Sequence, residues 1–69
     1  MMDLNMDIYE LGLSKRSLYA LNRNGITTVK ELVLLNHYEL SHKKGVGENI
    51  ISDVMMCIKK HGLHLGMKI

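Results

Sequence analysis

The sequence predicts a compact all-α domain of four to five short helices, arranged as tandem helix-hairpin-helix-like units. Three observations carry that reading. Ile51, Val54, Met55 and Ile58 recur at i, i+3, i+4 and i+7, the spacing of one helix face. Helix-start signatures precede short apolar segments at Ser14, at Thr28 with Glu31, and at Asn36 with Glu39. The chain has no Pro, Trp or Phe and its aromatics are Tyr9, Tyr19 and Tyr38, so Leu, Ile, Val and Met must build the core, which suits small packed helices better than a sheet.

At 69 residues the chain makes one domain, residues 1–69, whose elements share a single core. Residues 1–6 read as a ragged start, with a helical turn or two across Asn5 to Glu10. Ser14 is a good N-cap, flanked by Leu13 and Leu18 in the positions of a hydrophobic staple, and opens a first helix from about Lys15 to Asn24 with Leu18 and Leu21 as its apolar stripe. Gly25 stands where a left-handed residue ends such a helix. The Thr28–Glu31 capping box starts a second helix from Val29 to about Leu35, and Asn36–Glu39 repeats the device for a third that stops before Gly45. In the last helix Ile50 and Cys57 widen the apolar stripe, while Ser52, Asp53, Lys59 and Lys60 take the other face. Glu48 near its start and Lys59, Lys60 and His61 near its end complement the macrodipole, and Gly62 terminates it. Residues 63–69 form a tail whose Leu63, Leu65, Met67 and Ile69 can pack back on the core. Leu21 to Val29 and Leu40 to Ile50 both run helix, glycine bend, helix, a faint repeat offset by about 20 residues.

The stretch with the most chemistry is Lys43-Lys44-Gly45-Val46-Gly47-Glu48-Asn49-Ile50. A Gly-Val-Gly bend between helices turns its amides and the next helix N-terminus outward, a geometry that suits an anion. Lys43 and Lys44 beside it make a nucleic-acid phosphate the natural anion, since such contacts fix position on a duplex without reading sequence. The same glycines also suit an ordinary helical hairpin, Gly45 ending one helix and Gly47 opening the next. Net charge is only +2, so the case rests on placement: Asp3, Asp7 and Glu10 gather at the start, followed by Lys15, Arg16, Arg23 and Lys30.

Other classes find little support. No apolar run approaches the roughly 20 residues of a membrane span and no signal peptide is evident, so a cytoplasmic protein without a membrane partner is expected. Cys57 is the one cysteine, in an apolar stretch that suggests a small core residue. His37, His42, His61 and His64 do not take zinc-ligand spacing, and Cys57 with His61 makes only two ligands, so neither metal nor cofactor is expected. Nothing pairs a nucleophile with a base, so no enzyme and no small-molecule substrate is expected. The rival is a protein-interaction module, with Met55, Met56, Met67, Tyr19 and Tyr38 leaving an adaptable apolar surface.

Several runs are more specific than any of these signals. Glu10-Leu11-Gly12-Leu13-Ser14-Lys15-Arg16-Ser17 matches an "L-x-L-S-x-R-S" pattern, and Leu21 with Gly25-Ile26-Thr27-Thr28-Val29-Lys30-Glu31-Leu32 matches "L-x-x-x-G-I-x-T-V-x-E-L". Val46-Gly47 fits an "L-G" hairpin, and His61-Gly62-Leu63-His64-Leu65-Gly66-Met67-Lys68 fits "x-G-L-x-L-G-M-R", a run that no general turn rule requires. From Glu10 to Ile69 this order resembles the C-terminal domain of the bacterial RNA polymerase alpha subunit.

The resemblance implies a helical domain that binds double-stranded DNA in the A·T-rich minor groove and offers surfaces to RNA polymerase, sigma factor or transcription activators. It places Arg16 on the family's groove-entering arginine, which a narrow A·T groove attracts by its negative potential, and Gly47 on a glycine whose backbone meets phosphate. Gly45 stands where the family usually has asparagine, Tyr19 replaces a groove-facing asparagine, and Asn49-Ile50 replace a lysine-serine pair. With these contacts altered, weak, shape-led binding is expected, supported electrostatically by Lys15, Lys43 and Lys44. The candidate DNA-binding set is therefore Lys15, Arg16, Tyr19, Lys43, Lys44, Gly45, Gly47 and Asn49. Beginning Met1-Met2 without the subunit's assembly domain, the chain reads as an excised domain or as a free-standing protein, of a phage or mobile element, acting as an adaptor or as a competitor for DNA or polymerase partners.

Overall fold

The computed structural model describes residues 4–68 and holds, in order, a 3₁₀ turn at Ile8–Leu11 and four α-helices: α1 (Lys15–Asn22), α2 (Val29–Val33), α3 (His37–Ser41) and α4 (Glu48–Lys59). The first three helices begin at side chains that take an N–H otherwise left without a partner. Ser14 Oγ accepts from the Ser17 N–H at 3.2 Å, and Thr28 and Asn36 close both halves of a capping box with Glu31 and Glu39. α1 and α2 stop short of the Asn24 and Leu35 expected from the pattern because their last turns tighten to i→i+3 bonds, Asn24 N–H to Leu21 and Leu35 N–H to Leu32. Gly25 and Gly62, both left-handed, then close α1 and α4 in Schellman arrangements, with Ile26 N–H reaching back to Leu21 and Leu63 N–H to Ile58.

Helices of five residues are unstable alone, so α2 and α3 depend on packing. That packing centres on α4, which lies against both α1 and α3. Val54, Ile58, Leu21 and Leu40 are buried at the common core, and Ile50 and Cys57 are buried with them, as the widened stripe requires. Leu18 is only half-buried against it.

Both chain ends contribute backbone pairing. Of the start expected to be ragged, residues 1–3 lie outside the described residues, while the Leu4 and Met6 carbonyls accept from the Lys30 and Val29 N–H groups at 2.7 and 2.9 Å. Ile8 N–H donates to Thr27 at 3.0 Å beside an antiparallel bridge of Asp7 with Thr28, and no strand extends from it among the described residues. The helical turn expected across Asn5 to Glu10 is the 3₁₀ turn, which starts at Ile8 because the Asp7 carboxylate accepts from Tyr9 N–H. At the other end Gly66 N–H donates to Leu35 and Met67 N–H to Val33, at 2.8 and 2.9 Å, and Leu63, Leu65 and Met67 pack half-buried on the core. Ile69, expected to join them, lies outside the described residues.

Two residues of α4 depart from their places on the pattern: Met55, read on the apolar stripe, is 47% exposed at its edge, and Asp53 lies inward. Asp53, placed by pattern on the open face of α4, is the joint between α4 and α1. Its Oδ2 accepts from Ser17 Oγ at 2.7 Å and from the Ser14 N–H at 3.1 Å, and Ser17 is 1% exposed. The carboxylate thus sits at the N-terminus of α1, where the helix dipole favours negative charge. The Ser17 hydroxyl, with smaller help from Ser14, holds the Asp53 carboxyl below its usual range. Cys57 packs beside it, its thiol 3.8 Å from Asp53 Oδ1 and from the Gly12 carbonyl. Burial, reinforced by the Asp53 charge, pushes that thiol up, away from a reactive thiolate.

Asp53→Ala is expected to cost about 1.5–3 kcal/mol of unfolding free energy, the worth of hydrogen bonds to a charged group, measured by urea denaturation. Because the folded carboxyl is held below its unfolded value of roughly 3.9, its contribution is complete above that pH and is lost as pH falls through the folded value. Between neutrality and strong acid the wild-type midpoint should therefore drop further than that of the alanine variant.

Candidate nucleic-acid interface

The bend after α3 is built by two glycines with different roles. Gly45 has φ of 81°, a left-handed conformation that side chains resist, and it reverses the chain while Val46 N–H closes back on the Lys43 carbonyl at 3.1 Å. Gly47 has φ of −97° and ψ of −178°, extended values open to any residue, and a side chain there would meet nothing within 4 Å. Gly47 is the N-cap of α4. With hydrogen in place of a side chain it supplies no cap bond, so α4 alone of the four helices starts without one.

Arg16 faces this opening. It stands in the first turn of α1, exposed, and lines a shallow groove of about 290 Å³ with Gly45, Gly47, Glu48, Asn49 and Ile50. The amides of a helix N-terminus and an arginine side chain both favour an anion, and Glu48 is the one carboxylate of that lining. Ile50 is only 5% exposed and belongs mainly to the core, so the exposed polar side chains of the first turn of α4 are Glu48 and Asn49.

The remaining candidates surround the groove. Lys44 is exposed and Lys43 half-buried in the hairpin itself. Tyr19, one turn beyond Arg16, is 69% exposed and carries the Arg23 guanidinium 5.7 Å from its ring centroid. Lys15 is exposed next to Arg16 but does not line the groove. Two residues outside the sequence-derived set help to shape this surface. Arg23 Nη1 is 3.5 Å from where a Gly45 side chain would begin, and Asn24 Nδ2 donates to both the Ala20 and Lys44 carbonyls at 2.8 Å, tying the end of α1 to the hairpin. Asn24 gave no signal because its partner lies 20 positions away.

A family model of the C-terminal domain of the bacterial RNA polymerase alpha chain matches residues 1–61. The protein belongs to this family. It is 39% identical over 66 residues to the DNA-directed RNA polymerase subunit alpha of Aquifex aeolicus (strain VF5), covering 96% of this chain and 21% of that protein. The subunit alpha of Thermus aquaticus is 36% identical over 63 residues, covering 91% of this chain and 20% of its own length, and that of Leifsonia xyli subsp. xyli is 38% identical over 63 residues, with 91% and 19% covered. The chain therefore spans about a fifth of the length of the curated relatives it matches. As a member of this family it is all-α, as the resemblance implied.

A second surface lies on another side of α4. Ile51, Met55, Ile58, Leu63 and Leu65 floor an apolar groove of about 640 Å³, and Met55 and Met56 are 47% and 61% exposed. Met67, expected to join such a surface, is half-buried against the core instead. No helix among the described residues is long and apolar enough to cross a membrane.

The two hairpin glycines should separate in a stability assay. Gly45→Ala forces a side chain into left-handed geometry and is expected to cost about 1–2 kcal/mol. Gly47→Ser keeps the backbone and supplies the missing cap, and is expected to stabilise by a few tenths of a kcal/mol, as Ser exceeds Gly at this position. Thermal midpoints of the two variants check both signs.

Proposed function

We propose that this protein is a non-catalytic DNA-binding domain of bacterial transcription, working in the cytoplasm and needing no cofactor. It meets the DNA backbone with the hairpin and the A·T-rich minor groove with Arg16. The observation that carries the reading is the convergence of Arg16 and the uncapped start of α4 on one exposed groove. A backbone phosphate there completes the α4 N-terminus from outside, with Gly45, Gly47 and Asn49 beneath it and Lys15, Lys43 and Lys44 adding charge. Family membership supports the same assignment.

The departures from the family pattern set the strength. Tyr19 is too large to act as a small amide in the groove, Asn49 carries no charge, and Ile50 is turned to the core. Binding is accordingly weak, and its salt dependence reflects a few phosphate contacts, each worth roughly 0.9 in the log–log slope. The exposed Met55–Met56 groove favours a second role alongside the first, a surface for RNA polymerase, sigma factor or a transcription activator. A protein that kept only this surface would act as an adaptor or competitor.

Titrating A·T-rich and G·C-rich duplexes by fluorescence anisotropy tests the reading. Arg16→Ala should weaken A·T-rich binding by about 1–3 kcal/mol and narrow the preference over G·C. The Lys43→Ala, Lys44→Ala pair should weaken all duplexes alike. Gly47→Ser should lose affinity while gaining stability, because its hydroxyl occupies the amides meant for phosphate. Unchanged affinity in both Arg16→Ala and Gly47→Ser would remove DNA binding from this face.

A further inference from the structure

Arg16, Tyr19 and Arg23 stand at i, i+3 and i+7 along α1 and its C-cap, so they form one stripe on a single helix face. The stripe starts at the groove and ends at the hairpin. At its far end the Arg23 guanidinium is held between two surfaces, the Tyr19 ring at 5.7 Å and the Gly45 bend, where Nη1 is 3.5 Å from the position a side chain would occupy. A guanidinium stacked on an aromatic face keeps its outward N–H donors free for bidentate contact with phosphate. Tyr19 is 69% exposed, so its ring lies outside the core, with the Arg23 guanidinium over it.

Placement on a duplex follows from length. Seven helical residues rise about 10 Å, more than the roughly 6 Å width of a minor groove. With Arg16 in the groove and the hairpin on its edge, Arg23, whose Nη1 lies beside the Gly45 bend, reaches the same phosphate rail. We propose that Arg23 is a DNA-phosphate contact of this protein and that Tyr19 is its positioning residue, together standing in for the charged and hydroxyl contacts that Asn49 and Ile50 do not supply. This rests on the DNA-binding reading above and adds to it a second arginine and a role for Tyr19 outside the groove.

The test is the salt dependence of binding to one A·T-rich duplex and one G·C-rich duplex, for the folded 69-residue chain and four variants. Arg23→Ala should lower affinity roughly eightfold at 0.1 M salt and reduce the log–log slope by about 0.9, equally on both duplexes. Arg23→Lys keeps the charge and should keep the slope. Tyr19→Phe keeps the ring and should stay within about twofold of wild type, whereas Tyr19→Ala should lose about two- to fivefold with its slope unchanged, as expected for release of a cation–π brace. If wild type binds and Arg23→Ala retains its full slope, Arg23 is no phosphate contact and this inference falls alone. If Tyr19→Ala binds like wild type while Arg23→Ala does not, the bracing role falls. If wild type binds neither duplex, this inference falls together with the DNA-binding reading.

Discussion

A single carboxylate oxygen, Asp53 Oδ2, holds the start of α1 against the middle of α4. The placement of Arg16 on the candidate interface depends on that joint. Arg16 lies between the two residues that Asp53 grips, Ser14 and Ser17, so the carboxylate fixes the direction in which the arginine leaves the helix. The other end of α1 is fixed by a second polar tie, Asn24 Nδ2 on the Lys44 carbonyl. Apolar burial along α4 supplies most of the driving force for folding, but it is non-directional. The two polar ties supply the register between α1 and the hairpin that apolar contact alone does not specify.

With that register set, the contrast among helix starts acquires meaning. Ser14, Thr28 and Asn36 satisfy their own helices, and the protein has oxygen-bearing side chains to spare for such positions. At α4, the longest helix, it places a glycine in a backbone geometry that needs none. Gly45 is glycine for the sake of the turn, whereas Gly47 leaves room in front of the helix N-terminus. A cap supplied from within would add stability and fill the space in front of these amides, so at the proposed site stability and binding would oppose each other.

Much of the fold was legible because its signals are local. Capping boxes, the α4 stripe and the helix-ending glycines act over three or four positions, and Ser14, Thr28, Asn36, Gly25 and Gly62 all perform as read. The polar ties were not legible, since Asp53 bonds across 36 and 39 positions and Asn24 across 20. One signal for Asp53 was present: it falls with Ile50, Val54 and Cys57 on the i, i+3, i+4, i+7 register of the buried edge. The pairing of Leu4 and Met6 with Lys30 and Val29 was hidden for the same reason of distance. The closing run from Gly62 to Lys68, informative in the sequence only as a resemblance, serves the fold directly. It ends α4, buries part of Leu63, Leu65 and Met67, and bonds the α2–α3 junction. Of the candidate site, Arg16, Gly45, Gly47 and Asn49 are brought onto one groove, while Arg23, read in the sequence only as one of a run of basic residues, lies beside the Gly45 bend.

Docking of DNA at the open start of α4 would perturb the amides around it. Backbone amide NMR during titration with an A·T-rich duplex tests it most directly. The amides of Arg16, Gly45, Gly47 and Asn49 should shift together and return toward their free positions as salt is raised. Shifts confined to the Met55–Met56 side of α4, with the hairpin amides unmoved at low salt, would contradict that docking.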